Sequence, residues 1–283
     1  MLCGSEILEH ARRLDAGGYE LWLASNGDVL RTLDLSLGPV ALTPLDFLGP
    51  YEREWKLEDL MRAYNVLNAT AFGAKGIPLQ NWVMIDLGLL PSGFLLITLS
   101  RHAAERAMND PARPVHERER IAGVLPAVLA EADRLGYEGP IPVAGYCASP
   151  TPDRAAWVGW SLCSAIPGLG TVAKGLGLLA YGARTLTGVT QFYDPALRVH
   201  RKFGPMRLLA AVLDLHPVRH TMAYRTEVFG PEPPAAEPTL LLDPRDLEAQ
   251  WALQRRLDAG SHEYFVLSPG LVEDRVPILE RPL

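Results

Sequence analysis

Apolar residues recur along this chain with two different periods, and each change of period marks a new element. Residues 19–34 hold two short apolar runs on either side of Asn26-Gly27, which predicts two strands joined by a hairpin turn. Over residues 57–71 the apolar positions Leu57, Leu60, Met61, Tyr64 and Leu67 return at helical spacing. Residues 81–90 and 94–100 are compact apolar runs that meet at Pro91-Ser92-Gly93, so they predict a strand pair closed by a turn. A polar, proline-punctuated stretch then leads into residues 117–135, where Ile121, Val124, Leu125, Val128 and Leu129 share one side of a helix.

The second half of the chain is denser in signals. It predicts a strand over 141–147, a turn through 149–154 and a strand over 155–165. A glycine turn follows at Pro167-Gly168-Leu169-Gly170, then a helix over 171–184, a strand over 187–193 and a short helix over 194–202 closed by Phe203-Gly204-Pro205. The run Gly-Pro-Glu-Pro-Pro-Ala-Ala-Glu-Pro at 230–238 is too proline-rich for a regular element and marks a boundary. Beyond it the pattern predicts a helical or irregular tail, with helical spacing over 247–257. Strands paired in hairpins around helices, with one late parallel crossover, predict an α/β fold: a mixed, mostly antiparallel central sheet flanked by helices. The expected division is 1–80 as an extension or first part of the domain, 81–229 as the main domain and 230–283 as a Pro-delimited tail.

Composition narrows the functional classes. The 283 residues are 48% hydrophobic and 21% charged, an ordinary globular balance, and the net charge of −6 argues against nucleic acid or an anionic membrane as the main partner. Arg198, Arg201, Lys202 and Arg207 form the densest basic cluster. Cys3, Cys147 and Cys163 lack close or zinc-type spacing, which predicts reduced thiols in a cytoplasmic protein. The N-terminus does not read as a signal peptide, and the weakly charged run 157–181 contains Pro167, Lys174 and five glycines, so no membrane span is expected. A small-molecule substrate and a homodimer are the expected partners.

The glycine turn carries the chemistry. A strand, a glycine turn and a helix start expose backbone N–H groups suited to phosphate. A P-loop would need Gly-Lys followed by Ser or Thr, and Ala173-Lys174-Gly175 stands there instead. Gly168-Leu169-Gly170-Thr171-Val172-Ala173 matches the dinucleotide form, with Asp194 at the end of the next strand as the acidic residue, so an NAD(P)-dependent oxidoreductase is one reading.

Residues 141–209 resemble the GNAT superfamily of acyl-CoA-dependent N-acyltransferases. Ala165-Ile166-Pro167-Gly168-Leu169-Gly170 carries the Gly-x-Gly half of that family's Gln/Arg-x-x-Gly-x-Gly/Ala loop, without its Gln/Arg. The elements over 171–184, 187–193 and 194–204 look like the family's next helix, strand and closing helix. The resemblance implies an acyl-CoA N-acyltransferase-like fold and acyl-CoA as co-substrate, its pyrophosphate held by Gly168, Leu169, Gly170, Thr171 and Val172 with Lys174 adding charge. It also implies an acyl group moved to an amine or other small nucleophile. His200 aligns with the family tyrosine that protonates the leaving thiolate, and an imidazole can do that work near neutral pH.

For the base, no Glu or Asp lies within 157–165, and Asp86 in the predicted strand 82–90 is the remaining candidate. The missing Gln/Arg and the missing carboxylate leave open a degenerate relative that binds an acyl or CoA-like ligand, or a partner, without turnover. Tyr146 and Tyr193 flank the site in this reading. His216 and His220 are separated by Pro217, which argues against a shared helix face. Gly175, Gly177 and Gly182 predict a helix packed closely against a sheet or a cofactor.

Overall fold

The computed structural model describes residues 1–50, 53–72, 81–232 and 237–283, which form two compact units. The first comprises Ser5–Pro150 with Trp160–Gly182, and the second Met1–Gly4, Thr151–Gly159 and Ala183–Leu283. Strand pairing is mixed and mostly antiparallel, with helices flanking the strands, as the hydrophobic pattern predicts.

In the first unit, β1 (Tyr19–Ser25), β4 (Thr43–Asp46), β5 (Gly93–Leu99) and β6 (Ile141–Pro150) follow the order β6-β5-β1-β4. β5 pairs antiparallel with both β1 and β6, and β1 pairs parallel with β4. β2 (Ser36–Leu37) and β3 (Val40–Ala41) form a separate ribbon. Every residue of β5 is buried, as is β6 from Ile141 to Ala148, because helices cover both faces. α3 (Leu57–Phe72) and α6 (Val115–Leu135) lie on one side, and α7 (Leu169–Ala180) lies on the other with α1 (Gly4–Ala16) against it. α5 (Arg101–Met108) packs beside α6.

Two predicted elements come out differently, for one reason. The hairpin at Asn26-Gly27 is a strand end followed by a helical turn, α2 (Gly27–Leu30). The strand expected over 81–90 is a helix, α4 (Asn81–Leu89). Asn26 serves both: its Oδ1 accepts from Val29 N at 3.0 Å, while its Nδ2 donates to the carbonyls of Leu89 and Leu90 at 3.1 and 3.3 Å. One side chain thus caps the start of α2 and the end of α4. Ser25 and Ser92 extend the junction, donating to the Ser92 and Leu87 carbonyls respectively.

In the second unit β8 (Thr185–Gln191), β10 (Thr221–Glu227), β9 (Met206–Ala210), β12 (His262–Val266), β13 (Val276–Pro282) and β11 (Leu240–Leu242) are neighbours in that order, all antiparallel. β7 (Ala156–Ser164) begins in this unit, where Ala156–Val158 pair in parallel with Thr185–Thr187, the predicted late crossover. The segment expected to be a helical or irregular tail supplies β11, β12, β13 and α9 (Leu247–Asp258). Of the Pro-rich boundary 230–238, residues 233–236 lie outside the described residues. Leu253 of α9, Leu197 of α8 (Ala196–His200) and the inward side chains Met206, Tyr224, Tyr264 and Ile278 share one hydrophobic core. The opposite face of these strands carries Arg207, Arg225, Glu263 and Phe265.

Close approach around β6 is enforced by glycine. A Cβ on Gly145 would lie 2.3 Å from the ring of Tyr64 on α3, and one on Gly177 of α7 would lie 2.8 Å from the ring of Tyr146. Gly145→Val should therefore destabilise the protein by about 1–3 kcal/mol through overpacking. Urea denaturation measures this; an unchanged midpoint would mean that α3 can move away from β6 without cost.

Candidate functional site

The strand, glycine turn and helix of the sequence are present. β7 ends at Ser164, whose hydroxyl donates to the Ile166 carbonyl, and Ala165 N donates to Val143 O at 2.9 Å, tying the turn to β6. Gly168 is the residue before α7, with φ +86°, a left-handed backbone that favours glycine. It is exposed, with open space where a Cβ would point.

The turn consumes part of its own donor set. Leu169 N donates to Ile166 O at 3.3 Å, and Thr171 N and Val172 N donate to Gly168 O at 3.0 and 3.4 Å. The N–H groups of Gly168 and Gly170 donate to no acceptor among the described residues. Of the five amides offered by the sequence, these two are the ones left for an anion at the positive end of α7. Leu169, Gly170 and Val172 are otherwise buried, while Pro167 and Thr171 are partly exposed.

Arg120 was not singled out by sequence pattern. It sits in the alternating Glu/Arg stretch of α6, which reads as a solvated face, yet its Nη2 lies 3.4 Å from Ser164 O, at the strand end leading into the turn. Only the tertiary packing of α6 brings this exposed guanidinium there.

Lys174 lies elsewhere than a solvent-facing phosphate would need. It is 1% exposed, with its Nζ 6.0 Å from the centre of the Tyr146 ring. Burial lowers its pKa to about 7 from the ordinary 10.5. The two neighbouring glycines face different partners, Gly175 against Ile7 of α1 and Gly177 against Tyr146 and Tyr181. Gly182, just beyond the helix, has φ +60°. The glycines thus serve two packing faces and a turn rather than one face.

The other candidates are scattered. Asp86 is exposed on α4, without the strand position that recommended it. His200 is the last residue of α8 in the second unit, buried with its ring 5.3 Å from that of Tyr224. Tyr193 packs against the ring of His220, and Asp194 Oδ1 accepts from Ala196 N at 2.8 Å, shaping the entry to α8. His216 Nδ1 accepts from Val218 N, and His220 Nδ1 contacts Gln250 Oε1 at 3.1 Å; no group of three or more metal-ligating side chains occurs among the described residues. Cys147 and Cys163 are buried, and burial pushes both thiols up, Cys163 to about 12, so neither is an activated nucleophile.

The basic cluster is largely structural. Arg201 is 2% exposed and donates to Val266 O and Gly204 O, both at 2.6 Å, and to Glu232, while Arg207 pairs with Glu263. No helix among the described residues is long and apolar enough to cross a membrane.

No family model matches this chain, and a search of curated proteins returns no match. Among solved structures, the chain is similar to an aminoglycoside 6'-acetyltransferase type Ii, with a TM-score of 0.37 and 11% identity over 62% of this chain and 92% of that chain. So loose an overlap does not decide the fold, which rests on the strands and helices described above.

Lys174 gives the first unit a pH signature. An amine whose folded pKa lies below its unfolded value penalises the fold fully at and below about pH 7, and the penalty fades as pH rises toward 10.5. Stability in urea should thus climb over that interval. Lys174→Met should lose this slope. Parallel pH profiles for the two proteins would show Lys174 to be charged and compensated inside the fold.

Proposed function

We propose that this protein is an acyl-CoA-dependent acyltransferase that moves an acyl group from a CoA thioester to an amine or other small nucleophile. The observation that carries the reading is the turn at Gly168, with a left-handed glycine, two N–H groups left for an anion and the start of a twelve-residue helix. In this reading Gly168 and Gly170 donate to the pyrophosphate, and Arg120 supplies the cation that the missing Gln/Arg of the loop would have contributed. Lys174 is reassigned from phosphate contact to the interior of the unit. The pantetheine arm lies along the backbone of β7 over Trp160–Ser164, the part of that strand in the same unit as the turn.

The proton donor for the leaving CoA thiolate is His200. Its imidazole is buried at the end of α8 with its ring against that of Tyr224.

A second reading, a CoA-binding protein without turnover, is favoured by one observation. Among the residues that recommended themselves for acid and base work, Asp86 sits on a helix surface and His200 in a packed interior. A binding measurement followed by a turnover measurement separates the two.

Isothermal calorimetry with acetyl-CoA should show binding. Gly168→Asp should abolish it by setting a carboxylate against the pyrophosphate, and Arg120→Ala should weaken it roughly three- to tenfold. Binding of NADPH with none of acetyl-CoA would overturn the acyltransferase reading in favour of the dinucleotide one.

A further inference from the structure

The open face of the second unit's sheet holds a groove of about 510 Å³ lined by three arginines and three glutamates, one of which is already neutralised by Arg201 from outside the lining. Arg225 of β10 and Arg207 of β9 are direct cross-strand partners and both line it. Like charges directly opposite on neighbouring strands cost stability, so this placement is not explained by the fold alone. Phe265 of β12 is the next cross-strand partner of Arg207, and the Arg281 guanidinium lies 5.9 Å from the Phe265 ring centre. A flat apolar surface is thereby set between arginines on neighbouring strands.

The charge balance selects the ligand. Arg207 is paired with Glu263, and Glu232 is paired with the buried Arg201 beneath the groove. Arg225, Arg281 and Glu227 remain without an ion-pair partner among the described residues, leaving one net positive charge. One excess positive charge suits one negative charge on the ligand, whereas a dianion would meet the nearby Glu227 carboxylate at a cost. Guanidinium groups bind a planar carboxylate through paired hydrogen bonds, and a ring stacks on Phe265.

We infer that this groove binds a flat aromatic or conjugated monocarboxylate, its carboxylate between Arg225 and Arg207 and its ring on Phe265. The site lies wholly within the second unit and involves none of the residues assigned to CoA. It therefore stands or falls independently of the acyltransferase reading.

Benzoate and inorganic phosphate serve as probes, with calorimetry and thermal melting on the full-length chain. Benzoate should bind and raise the melting temperature, and phosphate should bind more weakly. Arg225→Gln should lose benzoate affinity by roughly tenfold or more. Without probe, the same variant should melt at or above the wild-type temperature, because the repulsion with Arg207 is gone. Arg281→Gln provides a second variant on the far side of Phe265 and should also weaken benzoate binding. Absence of benzoate binding, tighter binding of phosphate than of benzoate, or unchanged benzoate affinity in both variants would overturn the inference.

Discussion

The ring of Tyr64 lies over Gly145 of β6, and one residue further on, Tyr146 lies against Gly177 of α7 on the opposite face of the sheet. These two contacts set the distance between three layers. Successive strand residues point to opposite faces, so a glycine and a tyrosine in adjacent positions let one helix approach while the strand itself reaches into the other. The arrangement repeats nearby, where Tyr181 covers Gly93 and donates its hydroxyl to the Gly93 carbonyl at 2.8 Å. It appears again in the second unit, where Tyr224 lies over its cross-strand partner Gly188. Each tyrosine fills the volume that a second side chain would have occupied, and exchanging either partner leaves a void or a clash.

The glycine turn inherits its geometry from that packing. α7 is held by Tyr146 on the sheet side and by Ile7 on the other, so its N-terminus is fixed before any ligand arrives. The Ala165 to Val143 hydrogen bond fixes the strand end in the same way. In the acyltransferase reading proposed above, a rigid scaffold on both sides of Gly168 leaves the turn with little to reorganise, which lowers the cost of recognition. The same packing is why Lys174 has its ammonium inside the unit: its position on α7 faces the Tyr146 layer, not the mouth of the turn.

Local pattern was legible where one element satisfied itself. The helical spacing of 57–71 and 117–135, the strand at 141–147 and the strand, turn and helix around Gly168 all follow from periodicity and punctuation. It failed where a distant side chain decided the outcome. Asn26-Gly27 reads as a hairpin and 81–90 as a strand because no local signal says that Asn26 will cap helices on both sides of it. The strands after residue 238 were hidden for another reason: β11 and β12 are short, β13 contains prolines, and their alternation is only completed by the core beneath them. Residue types at the site were visible, but burial was not. Nothing in the order of residues shows that Lys174 and His200 are enclosed, or that Arg120 ends beside Ser164.

Asn26 has one more consequence, for the chemical ageing of the molecule. An asparagine followed by glycine is among the sequences most open to loss of its side-chain amide, because the small neighbour lets its backbone nitrogen attack the side-chain carbonyl. Here both ends of the amide are engaged and the backbone is extended at ψ 154°, with Gly27 already committed to a helical turn. The nitrogen and the carbonyl carbon are held away from the approach that ring closure needs. Folding thus shelters the site, and damage at Asn26 becomes a record of the time this junction has spent open.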